Sequence, residues 1–202
     1  MVQIRAFHPD DLDALHAICL QTGDHGADAT AHYADPRIVG EIYAAPYAVL
    51  EPDLADVVQD DEGVAGYILG TMDTRAFEAR CEAEWWPRLR EVHEKPRVPP
   101  ADWTPDQLRA FQIHRPFAVP AAVVAAAPAH LHINLLPRLQ GQGMGQAMLD
   151  TWLWAAGGKA HLGCDLENLR AQRFYDAYGF KRLAVEGSPG TVWMTCGVSS
   201  PP

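Results

Sequence analysis

A glycine-rich segment late in the chain carries the strongest chemical pattern. It spans Gln140 to Gly145, reads Q-G-Q-G-M-G, and lies between a strand pattern and a helix pattern. Glycines let the backbone approach an anion closely, and the first N–H groups of a helix attract negative charge at the positive end of its dipole. The segment therefore predicts a cradle for a pyrophosphate group, with a ligand-free strand-to-helix turn as the alternative.

The spacing of the glycines disfavours two other kinds of phosphate loop. The residue three positions after Gly143 is Gln146, where the dinucleotide pattern G-x-G-x-x-G requires glycine, and no βαβ unit precedes the segment. The Lys-Ser/Thr pair of a P-loop is also missing. A Rossmann oxidoreductase is thereby disfavoured.

A second pattern, N-x-x-A-x-x-F-Y-x-x-x-G-F, spans Asn168 to Phe180. Its alanine and aromatic positions fall on one or two adjacent faces of a helix, and the chain returns to a strand directly after Gly179. By itself the pattern leaves Asn168 either a helix N-cap or a ligand contact, and Tyr175 either a core aromatic or a group that takes part in chemistry.

In their order and separation, the two patterns resemble those of the GNAT acetyltransferase superfamily. In that family the first loop binds the pyrophosphate of acetyl-CoA. Further similarity at Ile4-Arg5, Gly63–Gly70, Asp73, Phe77 and Trp85-Trp86-Pro87 extends over nearly the whole chain. It is closest to the acetyltransferase-like domain at the C-terminus of eukaryotic O-GlcNAc hydrolases and its free-standing bacterial homologues. The eukaryotic domains have degraded phosphate loops, whereas this chain keeps all three loop glycines, which favours acetyl-CoA binding.

The resemblance implies direct transfer of an acetyl group from acetyl-CoA to a primary amine, on a small molecule or a protein lysine, in a ternary complex. Backbone N–H groups around Asn134 to Leu136 would stabilise the oxyanion, and Tyr175 would be the catalytic acid that protonates the CoA thiolate. The alternative is a non-catalytic pseudo-acetyltransferase that binds a ligand or a peptide. No metal is expected, and the residues assigned to the acetyl-CoA cosubstrate are Leu135, Leu136, Gln140, Gly141, Gln142, Gly143, Met144, Gly145, Asn168 and Tyr175.

The acceptor amine is expected between the polar loop 24–33 and a long proline-rich insertion at 93–129, because loops on a rigid scaffold usually set specificity. Trp85 and Trp86 either line this cleft or pack in the core. The residues assigned to the acceptor are Asp24, Asp28, His132 and Asn134, and for the two carboxylates the alternative is a solvated loop. The general base stays open among a water chain, His130, His132, Asp73, Asp165 and Glu167.

Strand and helix patterns alternate along the elements that must position these residues. Strands are expected at 2–7, 54–59, 64–72, 130–136, 161–166, 180–185 and 191–196, with helices between them. One of these helices is expected to open at Asp35-Pro36, and another to span 74–92, where Pro87 should end or kink it. This order indicates a mixed α/β fold with a ligand site beside the strand ends. The resemblance specifies a GNAT fold, in which helices flank a mixed, mostly antiparallel twisted sheet of about seven strands. A single domain over 1–202, with the insertion before the fourth strand, is predicted.

Composition narrows the partners. The 202 residues are 48% hydrophobic and 21% charged, which is typical of globular proteins. A net charge of −10 has the wrong sign for binding nucleic acid or an anionic membrane. The four cysteines form no C-x-x-C pair, and neither a signal peptide nor an apolar run of spanning length is found. We expect a cytoplasmic protein whose partners are acetyl-CoA and an amine, with a homodimer as a possible assembly.

Overall fold

The structure, a computed structural model, describes residues 1–197. Its strands are β1 (Gln3–Ala6), β2 (Ala55–Asp60), β3 (Gly63–Thr71), β4 (His130–Leu135), β5 (Lys159–Asp165), β6 (Lys181–Leu183) and β7 (Thr191–Gly197). They form one seven-stranded sheet in the order β1-β2-β3-β4-β5-β7-β6, antiparallel throughout except between β4 and β5. The mixed, mostly antiparallel sheet predicted from the sequence is confirmed. Residues 198–202 of the predicted domain lie outside the described range.

Helices flank this sheet. They are α1 (Leu12–Gln21), α2 (Ile38–Tyr43), α3 (Ala45–Leu50), α4 (Thr74–Arg80), α5 (Trp86–Val92), α6 (Pro105–His114), α7 (Ala121–Ala126), α8 (Met144–Ala155) and α9 (Leu169–Tyr178). No helix within residues 1–197 is long and apolar enough to cross a membrane.

Two short helices and one helix start differ from the sequence prediction. α3 is not among the helices indicated by the sequence. Pro46 is compatible with it because this residue lies in the first turn, where the N–H that proline lacks would have no helical partner anyway. α7 forms in the apolar run between two prolines, and its Val123 is fully buried. The predicted start of α2 at Asp35-Pro36 is wrong, since the Asp35 carboxylate accepts a hydrogen bond from the Arg37 N–H in a turn and the helix begins at Ile38.

The helix predicted over 74–92 contains a distortion ahead of Pro87. α4 passes through a π-helical turn, Cys81–Trp85, into α5, and the Trp86 N–H donates to the Cys81 carbonyl five residues back. Trp85 and Trp86 are both buried, and the Trp85 indole donates to the Glu41 carbonyl at 2.8 Å. Both tryptophans therefore belong to the core, and neither lines an acceptor cleft.

The proline-rich insertion packs against the helices of the domain. α6 packs against α2 and α5, and its Ile113 is fully buried. The Asp106 carboxylate accepts hydrogen bonds from the backbone N–H groups of Ala34, at 3.1 Å, and Asp35, at 2.8 Å. These contacts bring the insertion to one side of the loop that follows α1.

Candidate active site

The sheet opens between β4 and β5. These parallel strands are in register only at His130 and His161, near the start of β4. The remaining residues of β4 have no strand partner on the β5 side, so the two strands diverge toward their C-terminal ends. A gap in the middle of a sheet exposes backbone N–H and C=O groups that would otherwise be paired.

The hydrogen-bond pattern of β4 shows which of these groups face the gap. The Leu136 N–H donates to the Ala65 carbonyl of β3 at 2.8 Å. Antiparallel strands alternate between bonded and non-bonded residue pairs, so Leu135, opposite Gly66, directs its N–H and C=O away from β3. Of the N–H groups predicted over 134–136, that of Leu136 is therefore already used, and that of Leu135 faces the gap.

The glycine loop connects the end of β4 to α8. Gly141 and Gly143 have φ values of +71° and +79°, and a Cβ built on either residue meets no atom of residues 1–197 within 4 Å. Gly145 is different, since a Cβ there would lie 3.1 Å from the Phe174 ring of α9. Two glycines thus leave open space beside the start of α8, and the third permits close packing of α8 on α9.

Hydrogen bonds tie this loop to both sides of the gap. The Gln140 side-chain amide donates to the Leu135 carbonyl at 2.6 Å, and its oxygen accepts from Arg170 of α9. Gln142 donates to the Arg138 carbonyl at 2.6 Å. Met144, the first residue of α8, packs partly buried against the core. The two glutamine side chains therefore shape the loop from within.

α9 carries the two residues predicted from the second pattern. The Asn168 side chain accepts a hydrogen bond from the Ala171 N–H at 3.0 Å, so it caps the helix. Tyr175 is 8% exposed, and its ring packs against Phe180. Burial, and next the neighbouring Cys164, raise the pKa of Tyr175, which keeps its phenol protonated at neutral pH. Its hydroxyl makes no hydrogen bond to the described residues, and it remains free to donate one.

A cavity of about 560 Å³ opens beside these elements. Its wall comes from the end of α1 and the loop after it, from the insertion, and from the β5–α9 turn. Among the residues singled out from the sequence, Asp24, Asp165 and Asn168 line it. Asn134 does not line the cavity, but its amide donates at 2.5 Å to the hydroxyl of Thr22, which does. Asp28 lies outside the lining, and its carboxylate accepts from the N–H of Thr30 at 2.8 Å.

The mouth of the cavity is acidic. His25 Nδ1 lies 3.1 Å from an Asp165 oxygen, and His25 Nε2 lies 3.3 Å from Glu167 and 3.5 Å from Asp24. His32 Nε2 lies 3.4 Å from the other oxygen of Asp24. The groups of His25, Asp165 and Glu167 stand close enough for a metal ion, but all three residues are exposed, as ion-free clusters commonly are. The carboxylates give this part of the wall a negative charge.

The two strand histidines belong to a buried network. The Tyr47 hydroxyl lies 2.8 Å from His130 Nε2 and 3.1 Å from His132 Nε2, and His130 Nδ1 lies 2.7 Å from the Thr74 hydroxyl. Burial, and next the charges of neighbouring histidines, lower the pKa of His132 to about 4 and that of His130 well below its usual range. Both imidazoles are neutral at pH 7 and poor proton acceptors. Their hydrogen bonds therefore indicate a structural role for each histidine and not that of a general base.

The chain is similar to known proteins both in sequence and in structure. The family described as acetyltransferase (GNAT) domain matches residues 117–182, which include β4, the glycine loop and α9. The crystal structure of SsHAT aligns with a TM-score of 0.87 and 40% identity, covering 96% of each chain. The chain belongs to the GNAT acetyltransferase family. The resemblance, the fold and the enzyme class predicted from the sequence are thereby confirmed.

More distant relatives agree with this assignment. The acetyltransferase is 23% identical over 194 residues to the protein O-GlcNAcase of Rattus norvegicus, an alignment that covers 94% of this chain and 21% of that relative. It therefore spans about a fifth of that relative's length. The structure of yncA, described as an acetyltransferase from Salmonella typhimurium with its cofactor acetyl-CoA, shares the fold with a TM-score of 0.56 and 14% identity over 100% of this chain and 96% of that one.

Most of the cavity wall was predicted only as two segments, the loop 24–33 and the insertion, and not residue by residue. Tyr33, Trp103 and Arg109 line it, although the last two lie more than 60 residues from the loop they face. The sequence indicated only that the loop 24–33, which contains Tyr33, and the insertion 93–129 would contribute to the acceptor site. Their individual places follow from how α6 packs.

Proposed function

We propose that the acetyltransferase moves an acetyl group from acetyl-CoA to a primary amine by direct attack in a ternary complex. The observation that carries the proposal is the gap between β4 and β5, with the glycine loop at its end. The cosubstrate would lie along this gap, with its thioester carbonyl near Leu135. A backbone N–H fixed by a sheet stabilises a developing oxyanion without first having to reorient.

The open space beside Gly141 and Gly143 supports the assignment of the loop to the pyrophosphate. No side chain fills it, and the N–H groups at the start of α8 have no acceptor within their own helix. Gln140 and Gln142 would then act as positioning residues, since their amides hold the loop to β4 and to its own backbone. Acetyl-CoA is an anion, and the N-terminus of α8 supplies the complementary partial charge.

Tyr175 is proposed as the general acid. Its raised pKa keeps the phenol protonated at neutral pH, so its O–H is available to the departing CoA thiolate. Asn168, by capping α9, would fix the helix that carries this residue. Of the three carboxylates considered as general base, only Asp165 lines the cavity; Glu167 lies outside the lining, and Asp73 accepts two hydrogen bonds as the N-cap of α4. We therefore assign proton acceptance to Asp165.

The test is transfer and binding by the wild type and by Tyr175→Phe, with Tyr178→Phe as the matched control. Both substitutions remove one hydroxyl from α9, but Tyr178 donates to Asp150 at 2.6 Å. We expect Tyr175→Phe to lower kcat by about 100-fold or more, with the KM for acetyl-CoA nearly unchanged, because the proton is needed only as the thiolate leaves. CoA release would be followed against a panel of amines and basic peptides.

Two outcomes would contradict this proposal. If Tyr175→Phe turns over at the rate of Tyr178→Phe on a verified acceptor, Tyr175 is not the acid. If the wild type binds acetyl-CoA and a peptide but acetylates no member of the panel, the pseudo-acetyltransferase alternative is correct.

A further inference from the structure

One arginine in the cavity wall lacks a counter-charge. Within residues 1–197, four arginines are neither buried nor exposed: Arg5, Arg90, Arg109 and Arg138. Three of them pair with the carboxylates of Asp11, Glu82 and Asp60. Arg109 has no carboxylate within 4.0 Å in the described part of the chain. Removing a charge from water without a partner is unfavourable, so an arginine held this way indicates an anion that is not part of the protein.

The hydrogen bonds of Arg109 leave one end of the guanidinium unused. Nε donates to the Tyr33 hydroxyl at 3.1 Å, and Nη1 donates to the Tyr43 hydroxyl at 3.0 Å and to the Gln112 side-chain oxygen at 3.1 Å. All three acceptors are neutral. A guanidinium carries five N–H groups, so the two on Nη2 have no acceptor in residues 1–197.

Tyr33 supplies a second donor at the same place. Its oxygen accepts from Arg109, and its own proton has no acceptor among the described residues. Both residues line the cavity. The Tyr33 O–H and the Arg109 Nη2 group together form two neighbouring donors beside a positive charge, an arrangement that suits the two oxygens of a carboxylate.

The same cavity carries the opposite charge elsewhere on its wall, at Asp24 and Asp165. We infer that the acceptor of this enzyme is a small molecule that bears both a primary amine and a carboxylate, with the carboxylate bound by Arg109 and Tyr33. The inference rests on the proposed function and specifies the substrate class of the same site. A volume of about 560 Å³ is ample for an amino acid and lies in the range typical of small-molecule sites.

The test uses the CoA-loaded enzyme and calorimetry, so that binding is read without turnover. The probes are ω-amino acids from glycine to 6-aminohexanoate, each paired with its primary amide. We expect at least one acid to bind about 100-fold more tightly than its amide, because a site built for charge-assisted hydrogen bonds rejects an analogue without the charge.

Variants assign this preference to Arg109. Arg109→Gln should reduce the acid-to-amide ratio to below about threefold and leave amide binding unchanged, and Tyr33→Phe should reduce the ratio about tenfold. The control is Arg115→Gln, which removes an exposed arginine from the same insertion and should leave the ratio as in the wild type.

The inference is overturned if no acid binds the wild type more tightly than its amide, a measurement that requires no variant to fold. It is also overturned if folded Arg109→Gln keeps the wild-type ratio. Acetyl transfer is followed separately. Selective binding of an acid without transfer would contradict the proposed function and leave only the carboxylate site at Arg109 and Tyr33 standing. Equal binding and transfer of acids and amides would contradict the carboxylate site and leave the proposed function standing.

Discussion

Replacement of Gly143 by alanine tests the phosphate cradle most directly. The residue has φ +79°, a conformation that costs an L-residue about 1–2 kcal/mol, and the added methyl group meets no protein atom within 4 Å. The unliganded variant should therefore fold with a modest loss of stability. In the complex, the same methyl group would occupy the space assigned to the pyrophosphate, so binding of acetyl-CoA should be lost.

A matched control lies at the other end of the same helix. Gly157 has φ +67° and also leaves open space for a Cβ, so Gly157→Ala carries the same backbone strain away from the loop. Acetyl-CoA at 100 times its Kd stabilises a protein by about 2.7 kcal/mol, which is about 5–10 °C in Tm for a domain of this size. We expect this shift in the wild type and in Gly157→Ala, and none in Gly143→Ala.

Thermal unfolding with and without millimolar acetyl-CoA provides the measurement. Equal shifts in the two variants, whether full or absent, would mean that the space beside Gly143 is not where the cosubstrate binds. A wild type without any shift would refute the cradle itself.

Two further predictions concern the buried pair His16 and Gly40. Burial lowers the pKa of His16 to about 4, so below pH 6.5 the unfolded chain takes up a proton that the folded one refuses, and stability is lost as the pH falls from about 6.5 to 4. Urea unfolding should therefore show that the wild type loses about 2 kcal/mol more than His16→Gln between pH 7 and pH 5, and parallel pH profiles would contradict this. A Cβ on Gly40 would lie 2.4 Å from His16 Nδ1, so Gly40→Ala should cost about 1–3 kcal/mol in urea unfolding. Gly157→Ala, whose Cβ would have no atom of residues 1–197 within 4 Å, should not show this overpacking cost, and equal costs would refute the overpacking argument.

Local patterns predicted the elements around the gap well. The cap at Asn168 and the left-handed Gly179 at the end of α9 are determined by neighbouring residues, and both are present. Alternation along β4 likewise sets its polar side chains on one face, where Asn134 contacts Thr22 and His132 contacts Tyr47. Such features depend on the backbone period and on few neighbours, so a sequence contains most of what decides them.

Features decided by distant contacts could not be predicted in the same way. Arg109 is one of many arginines in the sequence, and its lack of a carboxylate emerges only when α6 packs beside Tyr33 and Tyr43. The availability of the Leu135 N–H likewise depends on the register between β3 and β4. A shift of one residue in that register would have left the Leu136 N–H facing the gap instead.

The π-helical turn at Cys81–Trp85 affects a cavity wall to which it contributes no residue. It sets the direction of α5, whose Arg90 donates to the Ile113 carbonyl of α6 at 3.1 Å. The seven residues of α5 form a helix about 10 Å long. A change of about 20° in its direction at the π-helical turn would therefore displace its C-terminal end by about 4 Å. Because α5 packs on α6, this displacement can be compared with the hydrogen bonds of Arg109 on α6, which are only 3.0–3.1 Å long. The placement of α6, and with it of the cavity residues that α6 carries, therefore depends on the direction of α5, although no residue of α5 is in the described lining.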